Sequence, residues 1–170
     1  LEGRAYYGFT IAHHLEMQPL QRHFPAFELS LTKATYGRTR WEYMYNYPYI
    51  GVSFWYSNLG NVQSLGSAYA LFPFISFPII KEEIFTFSFR LGLGLGYLSK
   101  PYERIGNYKN LAIGSHVNAA VNLMFETRWK VGKRFLFGGG LGIVHFSNGT
   151  IKTPNYGLNI PAVNLVAAYR

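Results

Sequence analysis

The sequence predicts an all-β protein, an eight-stranded antiparallel up-and-down transmembrane β-barrel of the outer-membrane type. Three observations carry that expectation. Alternation of apolar with small or polar residues recurs from end to end, and no stretch shows a helical period. Long and short connections between the alternating segments take turns along the chain. The two faces also differ, one large and aromatic or aliphatic, the other built from Gly, Ser, Thr, Asn, Glu and Arg. A soluble barrel would turn the apolar face inward and clothe its outside with Lys and Glu. Here the second face is too poor in charge and too rich in Gly and Ala for a solvated exterior. It suits the packed interior of a small barrel whose aromatic face meets lipid. Closure also removes the exposed edges of such apolar strands. A soluble, lipocalin-like barrel that binds a hydrophobic ligand is the main rival.

Taken in order, Ala5, Tyr7, Phe9 and Ile11 form one side of a first strand against Tyr6, Gly8 and Thr10. A loop through Pro19 and Pro25 precedes Phe27, Leu29 and Leu31, which alternate with Glu28, Ser30 and Thr32. Thr35 to Arg38 reads as a tight turn. Trp41, Tyr43, Tyr45, Tyr47 and Tyr49 then form an odd-numbered aromatic row, and beyond Pro48 the apolar set moves to Ile50, Val52, Phe54 and Tyr56. A Pro at a parity switch predicts a β-bulge inside one long strand. Ser67 to Ile79 is apolar on both sides, so its register is the least defined. Phe85 to Tyr97 has the clearest alternation; its three alternate glycines fall on one strand face and open no helix, so they are no nucleotide fingerprint. Val117 to Lys130, Arg134 to Ser147 and Leu158 to Arg170 complete the eight. Longer connections fall near 14–25, 59–66, 99–115 and 148–157, short turns near 35–38, 80–84 and 131–133. That is the pattern of barrels with short periplasmic turns and long extracellular loops. Trp41, Tyr43, Tyr97, Trp129 and Tyr169 suit interfacial girdles.

Composition agrees. Aromatic residues make up 18% and charged residues only 14%, where a soluble domain carries about a quarter. No apolar run reaches the roughly 20 residues of a membrane helix; the longest, Ala70 to Ile80, is broken by Pro73, Ser76 and Pro78. With no cysteine, disulfides and thiolate metal sites are excluded. The formal charge of +8 suits an anionic partner. Nucleic acid is disfavoured, because the basic residues are scattered over both ends and form no stripe. The 170 residues read as one domain, and the lack of an N-terminal Met and of a signal peptide reads as a mature chain or one trimmed from a longer protein.

One stretch carries chemistry. The strand ending Leu141-Gly142-Ile143-Val144-His145-Phe146-Ser147 brings His145 and Ser147 to its last two same-side positions, before the polar loop that starts at Asn148 and Gly149. They share their face with Phe135, Phe137 and Leu141, so both point out of the barrel, at the long-loop end. On the next strand Asn159 shares its face with Val163, Leu165 and Tyr169, again outward. A nucleophile, a base and an orienting group would thus meet on the outer wall at the level of the outer leaflet. A Ser hydroxyl is a weak nucleophile until an imidazole takes its proton, and a third group must fix the imidazole tautomer. Asn148 and Asn155, through their side chains, and Gly149, through its backbone N–H, are candidate donors to the oxyanion.

His145-Phe146-Ser147-Asn148-Gly149 followed by Pro154-Asn155-Tyr156-Gly157 resembles the signature of the outer-membrane lipid A 3-O-deacylases, the PagL-type family. The signature covers about fifteen residues. The resemblance implies an esterase of the bacterial outer membrane that removes an ester-linked acyl chain from lipid A, with Ser147 as nucleophile, His145 as base, and neither metal nor cofactor. It implies lipid A, or lipopolysaccharide, and outer-membrane lipids as partners; a homodimer is compatible with the sequence. Two residues after the motif's Gly the family has an acid, where this chain has Asn159. An amide oxygen can hold the tautomer but offers no charge to the imidazolium. Of the eight acids, all Glu, only Glu16 and Glu103 lie in long-loop regions. Glu16 follows the first strand, which pairs with the eighth on closure, so it is the better substitute acid. The runner-up is a non-catalytic outer-membrane barrel (structural, adhesive or lipid-binding) that keeps the motif.

The remaining chemistry-bearing residues have plainer readings. His13 and His14 read as loop or interface residues rather than metal ligands, and His116 as a hydrogen-bonded structural residue on the inward side. Arg90, Glu126 and Arg128 read as an interior salt-bridge network. Lys100, Arg104, Lys109 and Lys152 suit either lipid A phosphates or ordinary loop charge.

Overall fold

The computed structural model describes residues 1–170. Eight strands follow in sequence order: β1 (Glu2–Phe9), β2 (His23–Ala34), β3 (Tyr49–Ser57), β4 (Ala68–Lys81), β5 (Phe85–Leu98), β6 (Val117–Val131), β7 (Phe135–Ser147) and β8 (Leu158–Tyr169). Each pairs antiparallel with its neighbours, and β8 returns to β1 to close the barrel. Along β2, Phe27, Leu29 and Leu31 are exposed, while Phe24, Ala26, Glu28 and Ser30 on the other face are buried. The same parity runs around the wall: Leu91, Leu93 and Leu95 of β5 and Val163 and Leu165 of β8 face outward. An apolar exterior on a closed barrel is the surface that hydrocarbon solvates, and it is the opposite of a lipocalin-like arrangement.

The chain departs from expectation between β2 and β3. Trp41, Tyr43 and Tyr45 do not lie on a strand; Arg40–Met44 is a short helix, α1, and Asn46 and Tyr47 adopt φ of 56° and 55° to turn the chain back. The Glu42 carboxylate accepts from the backbone N–H of Tyr36, Gly37 and Arg38 at 3.2, 2.8 and 2.9 Å. That local hydrogen bonding outweighs the alternating pattern, so the parity change at Pro48 marks the start of β3 and not a bulge. A register irregularity does occur, at Pro78/Ile80 in β4, where Pro78 has no N–H for the ladder. β1 also begins earlier and ends earlier than the alternation suggests, at Glu2 and Phe9.

The interior has two layers. In one, Arg4 contacts Glu2, Glu28 and Glu126 at 2.9, 3.2 and 2.8 Å, Arg90 reaches Glu28 at 2.8 Å, and Arg128 joins Glu2 and Glu126 at 2.7 and 2.9 Å. Three guanidinium groups thus face three carboxylates, and the expected network is larger by Glu2, Arg4 and Glu28. Arg90 also lies 3.8 Å from the centroid of the Phe74 ring, a cation–π contact. The other layer, toward the long loops, is apolar, which the small-and-polar reading of the inner face did not anticipate. Trp55, Phe72, Phe146, Leu98 and Ile160 pack there with Met17 and Leu20 from a 3-10 turn, Leu15–Leu20, in the β1–β2 loop. Leu59, Leu65 and Ile113 enter from the other long loops, so the loops fold inward over the mouth.

The glycines of β5 make room for this layer. A Cβ at Gly96 would stand 2.5 Å from the Phe146 ring. Phe146 lies between His145 and Ser147 and packs inward against Trp55 with the rings tilted, their centroids 5.7 Å apart. Gly96→Ala is therefore expected to destabilise by about 1–3 kcal/mol, the usual cost of overpacking. Gly3→Ala, where a Cβ has nothing within 4 Å, should leave stability unchanged. The midpoint of heat-modifiable gel migration measures both.

Candidate active site

β7 and β8 position the site. In their antiparallel register His145 lies directly opposite Asn159, and Ser147 is the last residue of β7. Strand alternation puts all three on the outer wall, half-buried, while Val144, Phe146, Leu158 and Ile160 between them anchor the strands inside. His145 Nδ1 and Asn159 Oδ1 are 2.7 Å apart. Ser147 Oγ accepts from Asn155 Nδ2 at 2.9 Å and from the Gly149 backbone N–H at 3.2 Å. No hydrogen bond joins His145 Nε2 to Ser147 Oγ; the two side chains share one face at an i, i+2 spacing.

The loop 148–157 supplies the donors because its own polar groups are used to shape it. Asn155 is oriented by accepting the Asn148 backbone N–H at 3.2 Å. Asn148 turns its side-chain amide away from Ser147, donating to Ser115 Oγ and the Lys152 carbonyl, each at 2.8 Å. Of the three expected oxyanion donors, Gly149 and Asn155 thus reach Ser147 Oγ, and Asn148 braces the loop that carries them. Gly157 closes the loop with φ of +80°, and a Cβ there would stand 3.0 Å from His145 Cε1. The motif's final Gly is required on both counts, since any other residue would be strained and would press on the imidazole.

Glu16 does not take the acid's place. It is exposed in the 3-10 turn, and no hydrogen bond or ion pair joins it to His145, whose Nδ1 is already held by Asn159. The residue that closure of β1 on β8 does bring near is His13. Its ring nitrogens lie 2.8 Å from the Tyr156 carbonyl and 3.4 Å from Asn159 Nδ2. The backbone reinforces the approach, with Ile11 N–H donating to the Asn159 carbonyl at 2.9 Å. Strand order alone pointed to this loop, but not to which of its residues arrives. His116 is exposed rather than inward, its Nδ1 2.7 Å from the Leu98 carbonyl and its ring stacked on Tyr97. Lys100, Arg104, Lys109 and Lys152 are exposed on the long-loop side.

The sequence profile described as lipid A 3-O-deacylase (PagL) matches residues 26–168. Among solved structures, the crystal structure of the outer membrane enzyme PagL is 16% identical, with a TM-score of 0.64 over 98% of each chain. Neisserial surface protein A (NspA) is 9% identical, with a TM-score of 0.65 over 99% of this chain and 95% of that one. No curated protein sequence matches this chain. At such identities the two structures speak for the eight-stranded outer-membrane barrel and nothing finer. The family profile spans most of β2, all of β3 to β7, most of β8 and the 145–159 site, and on it this chain belongs to the lipid A 3-O-deacylase (PagL) family, as an outer-membrane barrel.

Proposed function

We infer that the protein hydrolyses an ester-linked acyl chain of lipid A, with Ser147 as nucleophile and His145 as general base. The observation that carries the reading is the outward-facing pair itself. Ser147 Oγ already holds two N–H donors, and His145 Nδ1 is held by Asn159 Oδ1. With the proton on Nδ1, His145 Nε2 is the nitrogen free to take the Ser147 proton. Ser147 Oγ then attacks the ester carbonyl carbon, and the Gly149 and Asn155 N–H groups beside it turn from Oγ to the oxyanion. Collapse releases the sugar alkoxide, which recovers the proton from His145, and leaves an acyl-serine. Water, deprotonated in turn by His145, releases the fatty acid and restores Ser147. A site on the outer wall at the long-loop end suits a substrate anchored in the outer leaflet, which reaches it without leaving the bilayer.

Mass spectrometry of lipid A after incubation with the native chain and with Ser147→Ala tests the reading. The expected result is loss of one acyl chain with the native protein only. Lipid A left intact by both would favour a barrel that keeps the motif without the activity. Asn159 makes a further expectation. A charged acceptor strengthens a hydrogen bond by on the order of 1.4 kcal/mol over a neutral one, which is tenfold in rate if it is felt fully in the imidazolium-like transition state. Asn159→Glu is therefore expected to raise kcat by about tenfold and Asn159→Ala to lower it. A rate indifferent to both would remove Asn159 from the mechanism.

A further inference from the structure

A carboxylate beside a catalytic imidazole has two equivalent oxygens and no wrong way round. An amide does. If Asn159 presented its NH2 to His145 Nδ1, that nitrogen would have to accept, the ring proton would sit on Nε2, and no base would face the substrate. Something must hold the amide the right way, and the β1–β2 loop supplies it.

We propose that His13 is a positioning residue that orients the Asn159 amide and so sets the tautomer of His145. The argument starts from a backbone carbonyl, which can only accept. His13 Nε2 lies 2.8 Å from the Tyr156 carbonyl, so Nε2 carries the proton and donates. In the neutral ring Nδ1 is then bare and needs a donor. Two groups lie 3.4 Å from it, the Ile11 carbonyl and Asn159 Nδ2, and only the amide has protons to give. The NH2 of Asn159 therefore turns to His13, and its Oδ1 falls 2.7 Å from His145 Nδ1. Oxygen accepts, His145 carries its proton on Nδ1, and Nε2 is left free. Hydrogen-bond polarity thus passes from Tyr156 through His13 and Asn159 to the base. The ring of His14 stacks on that of Tyr156, with centroids 4.1 Å apart, and ties the same two loops together. Tyr156 stands next to Asn155, so one loop places both a donor on Ser147 and the start of this chain.

The inference rests on the Ser–His reading, and it makes a demand that a merely structural histidine would not. His13 should matter when residue 159 is an amide and cease to matter when it is a carboxylate. The experiment compares the native chain, His13→Phe, Asn159→Asp and the double variant in detergent micelles with lipid A. His13 is exposed, so Phe at that position does not threaten the barrel. In the native background His13→Phe is expected to lower kcat with KM unchanged. The loss should lie between about twofold, if the amide merely divides between its two orientations, and about 10²-fold, if the base is displaced. In the Asn159→Asp background the same substitution should cost less than about twofold. Nitrogen-15 NMR of the imidazoles gives a second readout: His145 is protonated on Nδ1 in the native protein and a mixture of tautomers in His13→Phe. An equal loss in both backgrounds, or a His145 tautomer indifferent to His13→Phe, overturns the proposal. If Ser147→Ala hydrolyses lipid A as fast as the native chain, the Ser–His reading fails instead, and the NMR result still decides whether His13 orients Asn159.

Discussion

Ser147→Ala and His145→Ala are each expected to slow lipid A deacylation by at least about 10²-fold, and the double variant to lose no more than the worse single one. The bound follows from how such groups share their work. In a soluble serine hydrolase, removing the serine or histidine costs about 2 × 10⁶ in kcat and removing the acid alone about 3 × 10⁴. If Asn159 served no better than a missing acid, the serine and histidine would still be left with the quotient, about 10². Asn159 keeps its oxygen 2.7 Å from His145 Nδ1, so the tautomer is held and the true loss should exceed that floor. Non-additivity is the sharper test, because a hydroxyl without its base and a base without its hydroxyl are equally idle. Initial rates of acyl release, followed by mass spectrometry, measure all three variants. Losses that multiply would mean that Ser147 and His145 do not act in one step.

Arg4→Met is expected to destabilise the barrel by about 3–5 kcal/mol, the usual result of breaking a buried ion pair from one side. Arg4 has no exposed side-chain surface and touches all three interior carboxylates. Its loss leaves Arg90 and Arg128 against Glu2, Glu28 and Glu126, an uncompensated negative charge inside a lipid-clad wall. Adding Glu126→Gln restores the balance, and the Arg90–Glu28 and Arg128–Glu2 contacts survive it. The double variant should therefore be more stable than Arg4→Met alone, as read by the midpoint of heat-modifiable migration. If it is less stable, the network is held by individual hydrogen bonds and not by charge balance. Activity per folded molecule should change little in either, because the network lies inside the barrel and Ser147 on its outer wall.

Much of the architecture is legible in the chain because strand alternation is a local rule. Leu91, Leu93 and Leu95 declare an outward face within a few residues of themselves, and any barrel that respects the alternation must obey it. The outward direction of His145 and Ser147 follows from the same rule. Alternation misled at Trp41 to Tyr47, where the Glu42 carboxylate satisfies backbone N–H groups four to six positions away and a short helix results. It was also silent on what fills the barrel. Phe146 occupies a position that alternation assigns inward, but only Gly96 across from it explains how so large a ring fits.

The site divides along the same line. The sequence by itself determined the eight strands, their lipid-facing side, the end at which Ser147 and His145 emerge, and an amide, Asn159, at the position where the resemblance implies an acid. Only the tertiary structure decided what that amide does. Asn159 and His13 are 146 positions apart, and they meet because β8 closes on β1. Pairing places the two loops side by side, but which side chain reaches across depends on backbone bonds such as Ile11 to Asn159 and on the carbonyl of Tyr156. Short-range patterns carry no record of such contacts. Glu16 and His13 lie three residues apart in one loop; the sequence favoured the carboxylate, and the folded chain brings the histidine to the amide and leaves the carboxylate in solvent.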